Sequence, residues 1–79
     1  MNYRILYFAS LRDAAGRDSE DCVATTADAR ALYAQLRRQH GFALDHARLR
    51  VAINGEFAPW DSALADGDEI AFLPPVSGG

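Results

Sequence analysis

Residues 27–41, ADARALYAQLRRQHG, decide the fold of this 79-residue chain. Ala29, Leu32, Tyr33 and Leu36 recur at i, i+3, i+4 and i+7, the single apolar stripe of an amphipathic helix. Thr26 stands ahead of it as the expected N-cap. Asp28 falls in the first turn and Arg37 and Arg38 near the last, the charge order that suits a helix dipole. Gly41 is the expected stop. One helix of this length, with one apolar face, needs a sheet to cover that face.

Strand patterns lie on both sides. Upstream, residues 19–25 (SEDCVAT) read as a strand ending before Thr26, and residues 2–10 (NYRILYFAS) read as another. In the first strand Tyr3, Ile5 and Tyr7 share one face, while Arg4, Leu6 and Phe8 share the other. Ser10 is placed to cap a short helical turn through residues 10–16 (SLRDAAG), closed by Gly16. Downstream, residues 48–55 (RLRVAING) alternate again, with Leu49, Val51 and Ile53 opposite Arg50 and Ala52. Asn54-Gly55 is a strong hairpin signal, followed by a short edge strand through Phe57 that stops at Pro59. After the Asp66-Gly67 turn comes a last strand, with Ile70 and Phe72 on one face and Glu69, Ala71 and Leu73 on the other. A helix between strands favours a parallel crossover, and tight turns favour antiparallel pairs. The expected architecture is α+β, a small mixed sheet with one main helix packed across it, in the element order of the β-grasp or ubiquitin-like fold. The expected division is a folded domain over residues 1–73 and a tail over 74–79.

Composition narrows the function. The chain is 49% hydrophobic and 24% charged, the balance of an ordinary globular domain, yet too short to enclose a sizeable active site. Its net charge is -3, all eight basic residues are Arg, and no basic run offers a nucleic-acid footprint. An acidic surface suits a basic protein partner instead. Apolar runs are too short to span a membrane, and no secretory signal pattern is present. The one cysteine cannot form an internal disulfide, so a reducing, cytoplasmic setting is expected. Cys22 falls in a strand pattern and reads as a small buried hydrophobe rather than a sulfur relay. His40 and His46 read as outside any metal or acid–base constellation, and no metal site is expected. Asp66, Asp68 and Glu69 form an acidic cluster near the tail, read first as turn chemistry and second as a steering charge. Trp60 reads as a partly buried loop anchor.

The tail, FLPPVSGG at 72–79, carries the chemistry. Gly is roughly 7% of residues, so a Gly-Gly end arises by chance in about 0.5% of chains. Pro74 and Pro75 cannot extend a central ladder and bias the chain to an extended path. Six extended residues reach at most ~20 Å, enough to thread into another protein's active site. Gly78 and Gly79 suit a narrow channel that leaves no room for side chains. A terminal carboxylate, with a reference pKa near ~3.5, is ionised at neutral pH and needs activation before a nucleophile attacks it. Adenylation by ATP supplies that activation, and the machinery must come from a partner.

Three stretches, YFASLRDAAG (7–16), DGDEIAF (66–72) and LPPVSGG (73–79), resemble the small, sulfur-carrying subunit of molybdopterin synthase, the MoaD family. The middle, from Cys22 to Arg48, matches in pattern only. The resemblance implies that an E1-like adenylyltransferase activates the Gly79 carboxylate with ATP and that a sulfur donor converts it to a thiocarboxylate. The sulfur then passes to a pterin precursor on a large catalytic subunit, in a heterotetramer of two small and two large subunits. It implies a non-catalytic subunit with no bound cofactor, whose tail (Pro74, Pro75, Val76, Ser77, Gly78) enters the partner's active site. By matching motifs, Phe8, Phe57 and Leu73 form an apolar docking surface beside the tail. The rival readings are a sulfur carrier for thiamine thiazole synthesis, a ubiquitin-like modifier conjugated through Gly79, and an interaction module whose tail does nothing.

Overall fold

The structure, a computed structural model, describes residues 1–26 and 28–75. The chain runs β1 (Asn2–Tyr7), α1 (Ala9–Ala15), β2 (Ser19–Val23), α2 (Ala29–His40), a 3-10 turn (His46–Arg48), β3 (Arg50–Ile53), β4 (Glu56–Ala58) and β5 (Glu69–Leu73). The strands form one five-stranded sheet in the order β2-β1-β5-β3-β4. β1 and β5 pair in parallel at its centre, with Ile5 opposite Ile70 and Tyr7 opposite Phe72. The other three pairings are antiparallel. β2 and β3 therefore run the same way on opposite sides of the central pair, and α2 is the crossover between them. This is the mixed α+β sheet of the β-grasp fold.

Alternation sorts the two faces as the sequence implies. Tyr3, Ile5 and Tyr7 of β1, Val51 of β3, and Ile70 and Phe72 of β5 are buried together with Ala29, Leu32, Tyr33 and Leu36 of α2. Aromatic rings stitch the two layers. Tyr33 lies 5.1 Å from Phe72 between centroids and stacks on Phe42 at 5.9 Å, and Trp60 stacks on Phe72 at 5.9 Å. Such pairs add about 0.5–1.5 kcal/mol each beyond the area they bury. The Tyr33 hydroxyl donates to the Leu44 carbonyl at 2.7 Å, so a buried polar tip finds a partner.

Two turns are built as their residues require. Asn54 and Gly55 both have positive φ, 53° and 86°, as a two-residue hairpin loop needs. The Asn54 side chain also accepts from the Glu69 N–H and donates to Asp68, each at 2.9 Å, which locks the β3–β4 turn to the start of β5. Asp66 accepts from the Asn2 N–H, and Asp68 from the Ala65 N–H at 2.8 Å, so this acidic cluster is engaged in turn chemistry. At the same end of β1 the Met1 ammonium donates to the Ala24 carbonyl at 2.9 Å.

The helix starts differ from expectation. Asp28, not Thr26, is the N-cap of α2, and its carboxylate accepts from the Ala31 N–H at 2.9 Å. Either side chain can cap, and the chain enters the helix two residues later than the sequence suggested. The Thr26 hydroxyl is instead buried with no hydrogen-bond partner among the described residues. Ser10 lies inside α1, whose N-cap is Phe8 with no side-chain cap bond. Ala9, at φ 50°, turns the chain out of β1 at that point. β2 ends at Val23, short of the expected Thr25.

Asp28→Ala is expected to cost about 1 kcal/mol in chemical denaturation. Thr26→Val, which removes an unpaired buried hydroxyl while keeping its shape, is expected to leave stability within about 0.5 kcal/mol of the wild type or to raise it.

Candidate functional site

Among the described residues, no helix or strand covers the sheet face opposite α2. Its side chains follow from the register. Leu6 sits opposite Ala71, Ala71 opposite Ala52, and Ala52 opposite Phe57, so one row crosses four strands. The two middle positions carry only a methyl group, and the two outer ones carry large apolar side chains. A hollow results, about 280 Å³ in volume, lined by Leu6, Phe8, Ala52, Phe57, Ala71 and Leu73, with Gly55 and Glu69 at its margin. Phe8 is 43% and Phe57 61% exposed, unusual for Phe in a chain whose other large apolar residues are mostly buried. Leu73 is half-buried. The structure thus brings Phe8, Phe57 and Leu73, which the sequence placed far apart, around one depression.

The short edge strand gave no phase for Phe57, and its pairing with Ala52 supplies it. Ala52 and Ala71 were read only as members of a face. Their signal was size, since a strand position that alternation assigns to an apolar face yet fills with Ala marks a floor.

A second groove, about 410 Å³, runs from this hollow along the exit of the chain. Phe57 and Leu73 line both, and Arg48, Arg50, Pro74 and Pro75 complete the second. β5 ends at Leu73, and the two prolines follow directly, Pro74 half-buried and Pro75 exposed. Val76, Ser77, Gly78 and Gly79 lie outside the described residues.

Cys22 is buried opposite Tyr3 in the β1–β2 pair. Burial, with Glu20 nearby, pushes its thiol above the ordinary range, which keeps it protonated and a poor nucleophile. The two histidines are not free of carboxylates, contrary to the sequence reading. His40 Nε2 lies 3.2 Å from Glu20, and His46 Nδ1 lies 3.6 Å from Asp45. The partners come from β2 and from the loop after α2, and only the fold joins His40 to a strand so far upstream. Asp45 is itself held below the usual carboxylate range, first by the Ala47 N–H and then by His46 and Arg37. Both pairs sit at the C-terminal end of α2, away from the hollow. Among the described residues no group of three or more His, Cys, Asp and Glu could hold a metal ion, and no helix is long and apolar enough to cross a membrane.

Comparison with known proteins follows the same lines. Residues 5–79 match the sequence profile of the ThiS family. The chain is 44% identical over 78 residues to the molybdopterin synthase sulfur carrier subunit of Haemophilus influenzae, covering 95% of this chain and 96% of that one. Among solved structures it is similar to the small archaeal modifier protein 1 of Haloferax volcanii, with a TM-score of 0.80, 31% identity and full coverage of both chains. It is also similar to a chain in the complex of subunits 1 and 2 of the molybdopterin-converting factor from Helicobacter pylori, with a TM-score of 0.69, 26% identity and full coverage of both.

Because its thiol is buried and protonated, Cys22 is expected to react with iodoacetamide in the native protein on the order of 10²-fold more slowly than after unfolding. Equal rates in the two states, measured by mass spectrometry, would refute the structural assignment.

Proposed function

This chain belongs to the ThiS family, and we propose that it serves as the sulfur carrier subunit of a molybdopterin synthase. The observation that carries the reading is the continuity of the apolar hollow with the groove along Pro74 and Pro75. A partner that covers the hollow receives the tail at a fixed place and in a fixed direction.

The carrier's own chemistry is confined to the Gly79 carboxylate. An E1-like adenylyltransferase joins it to the α-phosphate of ATP, and pyrophosphate leaves. The persulfide of a donor protein then attacks the acyl carbon and releases AMP, and a thiol cleaves the resulting acyl disulfide, which leaves a thiocarboxylate and a disulfide. The carbonyl carbon is a far better electrophile as the mixed anhydride than as the anion, which is why ATP is needed. On the large catalytic subunit the sulfur passes to a pterin precursor, and water restores the carboxylate. This small subunit contributes no acid or base of its own. It binds no cofactor, and ATP belongs to the activating partner.

Each part of the chain has a share in that cycle. Phe8, Phe57 and Leu73 supply apolar anchors, and Ala52 and Ala71 leave room between them for a side chain of the large subunit. Pro74 and Pro75 lower the entropy cost of presenting the tail. Val76 and Ser77 continue it, and Gly78 lets a narrow channel close around the backbone. A second reading draws on the likeness to the archaeal modifier, in which Gly79 is joined to amines of target proteins. Both readings share the activated carboxylate and differ in the nucleophile.

After incubation with ATP, the activating enzyme and a sulfur source, the intact mass is expected to rise by the replacement of one oxygen by sulfur, localised to Gly79. Removal of Gly79 should abolish the change. An unchanged mass, with lysine conjugates of target proteins in its place, would favour the modifier reading. Ala71→Leu is expected to fill the hollow and weaken binding of the large subunit by about tenfold or more while leaving thermal unfolding close to the wild type.

A further inference from the structure

The arginines of this chain are not distributed evenly in their partners. Arg4, Arg12, Arg17 and Arg37 each have a carboxylate within 4 Å, at 3.9, 3.8, 3.6 and 3.2 Å. Arg30, Arg38, Arg48 and Arg50 are exposed and have none among the described residues; Arg30 and Arg38 lie on α2, and Arg48 and Arg50 lie after it, in and beyond the 3-10 turn. Arg48 and Arg50 lie together at the root of the tail. Arg50 opens β3 and is paired with Leu73, the last residue of β5. Arg48 closes the 3-10 turn just before it. Both line the groove that also holds Pro74 and Pro75. The Arg50 guanidinium sits 4.1 Å from the ring centroid of Phe57, so one of its faces is covered and its orientation is set by the same ring that walls the apolar hollow. At the opposite margin of the hollow Glu69 lies on the wall, and Arg4 of β1 is paired against it. In a chain of net charge -3 this face therefore carries two exposed arginines where the tail leaves.

We propose that Arg48 and Arg50 form an electrostatic clamp that takes carboxylates of the large subunit, at the mouth of the channel that receives the tail. The inference rests on the carrier reading above and adds to it a charged contact that sets which way round the partner docks. Guanidinium groups match carboxylates in two-point geometry, and a cation already stacked on an aromatic ring loses little freedom when it pairs. The groove is open and exposed, which suits a protein rim rather than a small anion. The net negative charge and the lack of any further basic run exclude a nucleic acid. Continuity does the rest, because a partner seated on Phe57 and Leu73 already lies against both arginines.

The test is association kinetics with the purified large subunit from the same source, at low and high salt. It compares the wild type, Arg48→Glu/Arg50→Glu, and Arg30→Glu/Arg38→Glu. The last pair makes the same charge change on α2, at residues that line a different groove. Association of the Arg48/Arg50 variant is expected to be about tenfold or more slower at low salt, with most of the salt dependence gone. The Arg30/Arg38 variant should stay near the wild type. Both variants should still be charged at Gly79 by the activating enzyme, which also shows that they fold. Equal slowing of the two variants would overturn the proposal in favour of a net-charge effect. So would an unslowed Arg48/Arg50 variant, or one that binds the large subunit normally but fails to be charged. A wild-type protein that neither binds the large subunit nor accepts sulfur would instead refute the carrier reading itself.

Discussion

The parallel pairing of β1 with β5 holds everything else in place. It joins the first strand of the chain to the last at the centre of the sheet, and it contributes Ile5, Tyr7, Ile70 and Phe72 to the core. Its contacts span almost the whole chain, so they close only after the intervening loop entropy has been met by α2 and its neighbours. In return the end of β5 is fixed as firmly as the middle of the domain. The groove at Pro74 and Pro75 therefore opens beside the fixed end of β5.

The same pairing organises the surface. A central pair with α2 on one side leaves its other side to be finished by short side chains, by large ones, or by a partner. Here small residues occupy the middle and large ones the flanks. A depression floored by Ala52 and Ala71 is filled by none of the described residues, and it keeps Phe8 and Phe57 apart and exposed. Two exposed phenylalanines weaken solubility for no gain in folding. Their arrangement suits a surface that a partner removes from water.

Much of this was legible in the sequence. The stripe through Ala29, Leu32, Tyr33 and Leu36, the alternation in β1 and β5, and the Asn54-Gly55 turn each follow from local rules that the tertiary structure leaves intact. The errors fall where two local signals compete. Thr26 and Asp28 are both good caps, and the choice between them depends on where the chain leaves β2, which is decided by pairing with β1. The first strand was read over residues 2–10, but it ends at Tyr7, and Ala9 turns the chain at a positive φ that no residue type there announced. A contact between distant segments, such as Glu20 with His40, has no local signal at all. For the site, the choice of Phe8, Phe57 and Leu73 came from motif resemblance, and the fold gathers them around one hollow whose floor is a row of residues in register across four strands.

Because β1 and β5 run in parallel, the first residue of the chain and the root of the tail lie at opposite poles of the domain. Met1 is anchored beside Ala24, and the hydrogen bond it makes there is one that an ordinary amide N–H can make as well as an ammonium. The domain thus has a built-in handle. An extension or surface linkage attached ahead of Met1 would preserve that bond and point the tail outward into solution. Immobilised in this way, every copy would offer the same face and the same free end to whatever flows past it.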